Sequence, residues 1–208
     1  MQNLTKHLAS GVLALALSAG MASAATVAIT GTNTPVAGNN DFVSQLGSAL
    51  NPTLTFLTNA SFTLSGPARL TFTSVGAESG FVNSFAATGA GVLLETEGSV
   101  SNFLTGGFAS ITGIFSGGLL DALLSFSNGL GFMPGPGTTE FGVFTSGGLN
   151  NSVFFLAFDD GQGSSADDNH DDLIVRVNVA AVPIPAAGFL LIGALGGLAA
   201  LRRRRKIA

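Results

Sequence analysis

Val153-Phe154-Phe155-Leu156-Ala157-Phe158 runs into Asp159-Asp160-Gly161-Gln162-Gly163-Ser164-Ser165-Ala166-Asp167-Asp168-Asn169-His170-Asp171-Asp172, which runs into Leu173-Ile174-Val175-Arg176-Val177-Asn178-Val179. The first six residues are all apolar. That is strand length rather than helix length, and it suits a central strand covered on both faces. In the last stretch Leu173, Val175, Val177 and Val179 alternate with Asp172, Ile174, Arg176 and Asn178, the period of a half-exposed strand. Two strands flanking a polar stretch read as a hairpin with an acidic loop.

The same period recurs upstream. Leu54-Thr55-Phe56-Leu57-Thr58, Ser61-Phe62-Thr63-Leu64 and Leu70-Thr71-Phe72-Thr73 largely alternate apolar with small polar residues, and Gly66-Pro67 is a turn dipeptide. Thr, Val and Phe suit pleated surfaces, and Gly and Asn punctuate them. The expected class is all-β, with a β-sandwich or jelly-roll-like body. One stretch departs: Leu119, Leu120, Leu123 and Leu124 predict a short amphipathic helix within Gly117–Ser127, around Asp121. The following Gly131-Phe132-Met133-Pro134-Gly135-Pro136-Gly137 is a loop.

Composition narrows the chemistry. Charged residues make up 10% of the 208, against a usual ~25%. With no Cys there is no disulfide framework, thiolate nucleophile, Cys-ligated zinc or iron–sulfur cluster. All cations except Arg69 and Arg176 lie near the chain ends, and all twelve acids lie between Asp41 and Asp172. Residues 25–182 therefore set two arginines against twelve acids, a net charge of −10 with no Lys. Such a body repels phosphate backbones, which excludes nucleic acid as a partner. It also has no Lys for Schiff-base chemistry.

Both ends read as processing signals. Residues 1–24 have the form of a secretory signal peptide. Lys6 is the basic region, Leu8–Ala19 the short apolar region, and Ala22-Ser23-Ala24 the small-residue cleavage site. At the other end, residues 183–208 follow the body. Ala186–Leu201 is uncharged, marginal for a bilayer alone, and adequate with residues 182–185 and snorkelling arginines. Arg202, Arg203, Arg204 and Arg205 form a basic membrane stop that stays cytoplasmic.

Val182-Pro183-Ile184-Pro185-Ala186, an apolar helix and an arginine cluster, in that order, resemble the PEP-CTERM class of bacterial sorting signals. The variant is the VPLPA-CTERM type, with Ile184 where Leu is usual. The resemblance implies that signal peptidase and an exosortase process the chain. A membrane-anchored precursor would then be passed to the cell surface or extracellular matrix. The body more weakly resembles the β-sandwich part of such proteins, through Leu70–Phe85 and the acidic hairpin. That likeness adds no catalytic residue.

The acidic loop carries the one candidate cofactor. Six of the twelve acids fall in its 14 residues. Clustered carboxylates repel one another unless a cation, a proton or water compensates. Hard oxygen ligands at this density suit Ca²⁺. Asp167, Asn169 and Asp171 alternate, and Asp159 or Asp160 could approach from the other strand. Glu78 and Asn83 are candidates to complete the site. The alternatives are a solvated loop tip, turn hydrogen bonding by Asn83 and a solvent-facing Glu78. The spacing does not fit an EF-hand.

An enzyme is not expected. Once the signal is removed, His170 is the sole histidine, and a triad would have to use it on an acidic loop open to water. Glu78, Glu95, Glu97 and Glu140 offer carboxylates, but no spacing singles out a pair for glycoside cleavage. The expected role is structural or adhesive, at the surface, with extracellular polysaccharide as a candidate partner. The alternative is a surface-displayed glycan-binding module, although the chain lacks the Trp and Tyr that sugar platforms favour.

Overall fold

The computed structural model describes residues 25–50, 54–95, 103, 109–146, 150–161, 169–182, 193–194 and 196–197. The signal segment 1–24, Asp167, Pro183 to Ala186 and Arg202 to Arg205 lie outside them. Among the described residues no helix is long and apolar enough to cross a membrane. Ala24–Val182 forms one compact unit.

Alternating apolar residues become strands throughout this unit, and the fold is all-β. The strands are β1 (Val27–Asn33), β2 (Thr55–Leu64), β3 (Ala68–Gly76), β4 (Ser84–Ala87), β5 (Gly91–Leu94) and β6 (Ser110–Phe115). They continue as β7 (Gly118–Leu119), β8 (Leu124–Ser127), β9 (Phe141–Thr145), β10 (Asn150–Asn151), β11 (Val153–Phe158) and β12 (Leu173–Ala181). One helix, α1 (Asp41–Leu50), follows β1. The large sheet runs β10-β1-β2-β9-β11-β12-β3-β6, with β7 also paired to β2, and a small sheet runs β5-β4-β8. The expected hairpin is present: β11 and β12 pair antiparallel with Phe158 opposite Leu173 and Val153 opposite Asn178.

The large sheet curls. Only Ser65, Gly66 and Pro67 separate β2 from β3, yet three strands lie between them in the sheet. Three linking residues reach about 14 Å at full extension, whereas four strand spacings of a flat sheet take about 19 Å. The concave face carries Phe62, Phe72, Phe141, Leu156, Phe158, Val175 and Val177, all buried, and the small sheet covers it with Phe85 and Phe126. Phe126 stacks on Phe158 at 4.9 Å between ring centres and tilts against Phe85 at 5.2 Å. Each phenylalanine buried this way contributes roughly 1.5–3 kcal/mol.

A second apolar cluster lies on the other face of the large sheet. Phe42 of α1 sits 5.3 Å from Phe144, 5.2 Å from Phe155 and 5.6 Å from Phe103. The helix therefore covers Ile174, which is fully buried. β12 is half-exposed only from Arg176 onward, so the simple alternation read from sequence fails at its first turn. Asn40 caps α1: its Oδ1 accepts the Val43 N–H at 2.7 Å. The sequence reading did not anticipate this helix.

The helix expected within Gly117–Ser127 does not form. Gly117 and Gly118 both adopt positive φ, Gly118–Leu119 pairs with β2, and only Asp121–Leu123 makes a single 3₁₀ turn before β8. The reason is tertiary. The Asp121 carboxylate accepts the Phe62 N–H at 2.7 Å and the Ser61 hydroxyl at 2.6 Å, pinning the turn to β2. Leu120 and Leu124 still reach the core.

Candidate functional site

The base of the acidic hairpin is the polar centre of the described molecule. Asp159, Asp160, Asn169, His170, Asp171 and Asp172 are all buried, and Asp171 is fully so. The solvated tip considered from sequence is thus wrong for these residues. They lie where β11 and β12 leave the sheet, beneath α1 and the segment between β3 and β4. Residues 162–168 lie outside the description.

Each described carboxylate meets a donor, two of them from distant segments and two from within the hairpin. Asp171 Oδ2 accepts the backbone N–H of Asp41, at the first turn of α1, at 2.6 Å. Asp172 Oδ2 accepts the Asp160 N–H at 2.7 Å, across the mouth of the hairpin. Asp160 Oδ2 accepts from Asn83 Nδ2 at 2.9 Å and from the Ser79 hydroxyl. Asp159 Oδ1 accepts the Gly161 N–H at 2.8 Å. Backbone bonds join the same pieces: Glu78 N–H donates to Asp171 O at 3.1 Å, and Asn40 Nδ2 donates to Asn169 O. Hydrogen bonds to an ionised group contribute about 1.5–3 kcal/mol each. The network therefore fastens two separate segments, the start of α1 and the stretch between β3 and β4, to the hairpin.

Asn83 is the hub that sequence reasoning placed only as a guess. It is fully buried, and its Nδ2 also donates to the Asp172 carbonyl at 3.2 Å. Its backbone N–H donates to Glu95 Oε2 at 3.0 Å. Asn83 and Glu95 are one residue beyond the Ser84–Leu94 pair of the β4–β5 hairpin, which explains the meeting. Glu95 was only one of four undistinguished glutamates in the sequence. Burial pushes its carboxyl up from 4.5 to about 7; the Asn83 N–H opposes the shift and the Asp160 charge adds to it. Asn83 Oδ1 and Glu95 Oε1 are buried and face no donor. No local pattern marked Glu95, because its partner lies across a hairpin and its charge neighbour, Asp160, two residues past the end of β11.

His170 is not at a wet tip. It is buried with positive φ, its ring edge-on to Phe56 at 4.9 Å. Its Nε2 lies 2.7 Å from the Thr139 carbonyl, which can only accept, so that nitrogen carries a proton. Nδ1 is 4.0 Å from Asp159 Oδ2. In the neutral ring Nδ1 then holds the lone pair, on the side of the Asp159 carboxylate. Glu78 and Glu140 border the same region through their backbones, Glu78 N–H on the Asp171 carbonyl and the Glu140 carbonyl on the Asp159 N–H, each at 3.1 Å, and Glu97 lies outside the described residues.

Among the described residues no three acids or histidines converge where one ion could touch them. Of the expected calcium ligands, Asp159, Asp160, Asn169 and Asp171 are brought into one buried region, but their bonded oxygens are turned toward protein donors. Asp167 lies outside the description. The class these features define is an all-β domain whose acidic hairpin serves as a fastening. No family model matches the chain, and neither do any curated protein or solved structure.

Proposed function

We propose that this chain is an exported protein, cut by signal peptidase after Ala24 and processed by an exosortase at Val182-Pro183-Ile184-Pro185-Ala186. Its body, best classed as a β-sandwich, has a structural or adhesive role at the cell surface or in the extracellular matrix. The observation that carries this reading is the ordered sequence of Pro motif, uncharged stretch and arginine cluster after a body that ends in a strand at Ala181. The site supports it from the other side. Its buried acids and its histidine are spent on joining segments, which favours a scaffold over a catalyst.

The test is cell fractionation. Pro183 and Pro185 are replaced together by Ala, and the mass and location of the protein are compared with wild type. Loss of tail removal and retention in the membrane fraction support the proposal. Unchanged processing and location overturn exosortase recognition.

Calcium belongs to this proposal as the ion that orders the 159–172 loop. It rests on the density of acids in the sequence, and its test is thermal. The reading as a glycan-binding module is favoured by one feature, the exposed β3–β6 strand face with its paired hydroxyls.

A further inference from the structure

The only two cations between residues 25 and 182 lie on one face of the large sheet. Arg69 of β3 and Arg176 of β12 are both exposed, on adjacent antiparallel strands. Arg176 stands opposite Thr73, four residues along β3 from Arg69, so their Cα atoms are about 14 Å apart at strand rise. Both are on the convex side, because Leu70, Phe72, Val175 and Val177 occupy the concave core. Neither guanidinium has an ion-pair or hydrogen-bond partner among the described residues. None of β3, β6, β11 and β12 contains an acid, although the body carries twelve.

Between the arginines the face is a grid of hydroxyls and one amide. Thr73 stands opposite Ser110 on one side and Arg176 on the other; Thr71 stands opposite Thr112 and Asn178. The hydroxyls of Thr73 and Ser110 are 2.9 Å apart, and those of Thr71 and Thr112 are 3.1 Å apart. In each pair one hydroxyl donates to the other, so the pair keeps one outward O–H and spare lone pairs. Ile114, opposite Arg69, and Val153, opposite Asn178, add exposed apolar patches at the corners.

We infer that this β12–β3–β6 face binds an acidic polysaccharide laid across the strands, its carboxylates on Arg69 and Arg176 and its hydroxyls on the Thr, Ser and Asn grid. The charge pattern selects the polymer. Duplex nucleic acid presents a charge about every 1.7 Å, too dense for two arginines to offset against a body of net −10, whereas a polymer of widely spaced carboxylates meets the acid-free strands with few charges. Two arginines about 14 Å apart match sparse carboxylates separated by neutral hydroxyl-bearing units. The guanidinium fork pairs bidentately with a carboxylate. Hydrogen bonding and charge replace the aromatic stacking that a chain without Trp or Tyr lacks. The inference rests on the exported reading only for where the polymer is met.

The test uses the full chain in detergent, with hyaluronate, whose carboxylate-bearing sugars alternate with neutral ones, as probe and dextran and duplex DNA as comparisons, read by titration calorimetry. Binding of hyaluronate, weakened by salt and absent for dextran, supports the inference. R69Q/R176Q should weaken it at least about tenfold per arginine, with an unchanged unfolding midpoint. T71V/T112V should weaken it several-fold without altering the charge, which a purely ionic contact would not show. No binding by wild type, equal binding of dextran or DNA, or full binding by R69Q/R176Q overturns it. None of these results bears on tail processing, which the Pro183 and Pro185 variant reads separately.

Discussion

Asp171 Oδ2 lies 2.6 Å from the backbone N–H of Asp41, so a residue at the end of the acidic loop caps a helix 130 positions earlier in the chain. With Asn40 Oδ1 on the Val43 N–H, it supplies the second acceptor at the first turn of α1. A carboxylate there also meets the positive end of the helix dipole.

Asp171→Ala is therefore expected to lower stability by about 1–2 kcal/mol, the usual worth of a cap, and more if burial keeps water from the freed N–H. Thermal unfolding followed by far-UV circular dichroism reads the effect, since the chain has neither Trp nor Tyr. A midpoint equal to wild type would show that the contact is energetically idle.

The raised carboxyl of Glu95 has a defined pH signature. The folded state holds a proton on it up to about pH 7, while the unfolded chain releases it near 4.5. The folded state thus binds more protons between these values, and this contribution to stability is full below 4.5 and lost as pH rises to about 7. The difference between wild type and Glu95→Gln at each pH isolates this group. Denaturant midpoints from pH 4 to pH 8 (about the range that brackets both values) should show the variant gaining on wild type as pH rises. Parallel profiles would remove the assignment.

Gly142 has no room for a side chain. A Cβ there would clash with Phe56 Cε2 and come 3.0 Å from the His170 ring. Gly142→Ala should cost about 1–3 kcal/mol as the Phe56 ring shifts, measured as a lowered denaturant midpoint with an unchanged slope.

Phe126 links the small sheet to the large one through Phe85, Phe141 and Phe158. Phe126→Ala should cost about 3–5 kcal/mol, near the full stability of many domains. Soluble protein with a wild-type midpoint would show that the small sheet is held by other contacts.

Millimolar Ca²⁺ is expected to raise the unfolding midpoint relative to a chelator, by mass action on the folded state, and Asp167→Asn to abolish the rise. An unchanged midpoint would leave the hydrogen bonds of Asp160, Asp171 and Asp172 as the loop's whole support.

Strand content was legible because alternation is a local signal. Val153–Phe158 and Leu173–Val179 could be paired as a hairpin from pattern alone, and Asn83 could be linked to the loop as a candidate. Ile174 could not be read as buried, since what covers it is Phe42, on an element far away in sequence. Leu119, Leu120, Leu123 and Leu124 fit a helix until Asp121 finds Phe62 and Ser61. Glu95 looked like any surface glutamate until the β4–β5 hairpin set it against Asn83.

The amino-acid order by itself determined that the body is all-β, that its loop is acidic and that its cations number two; these follow from residue types and a period of two. Tertiary structure alone decided that three linking residues join strands four places apart, that the loop's ends are buried, and that Arg69 and Arg176 share a face. Pairing order and burial depend on which distant surfaces exclude water together, and no local period encodes that.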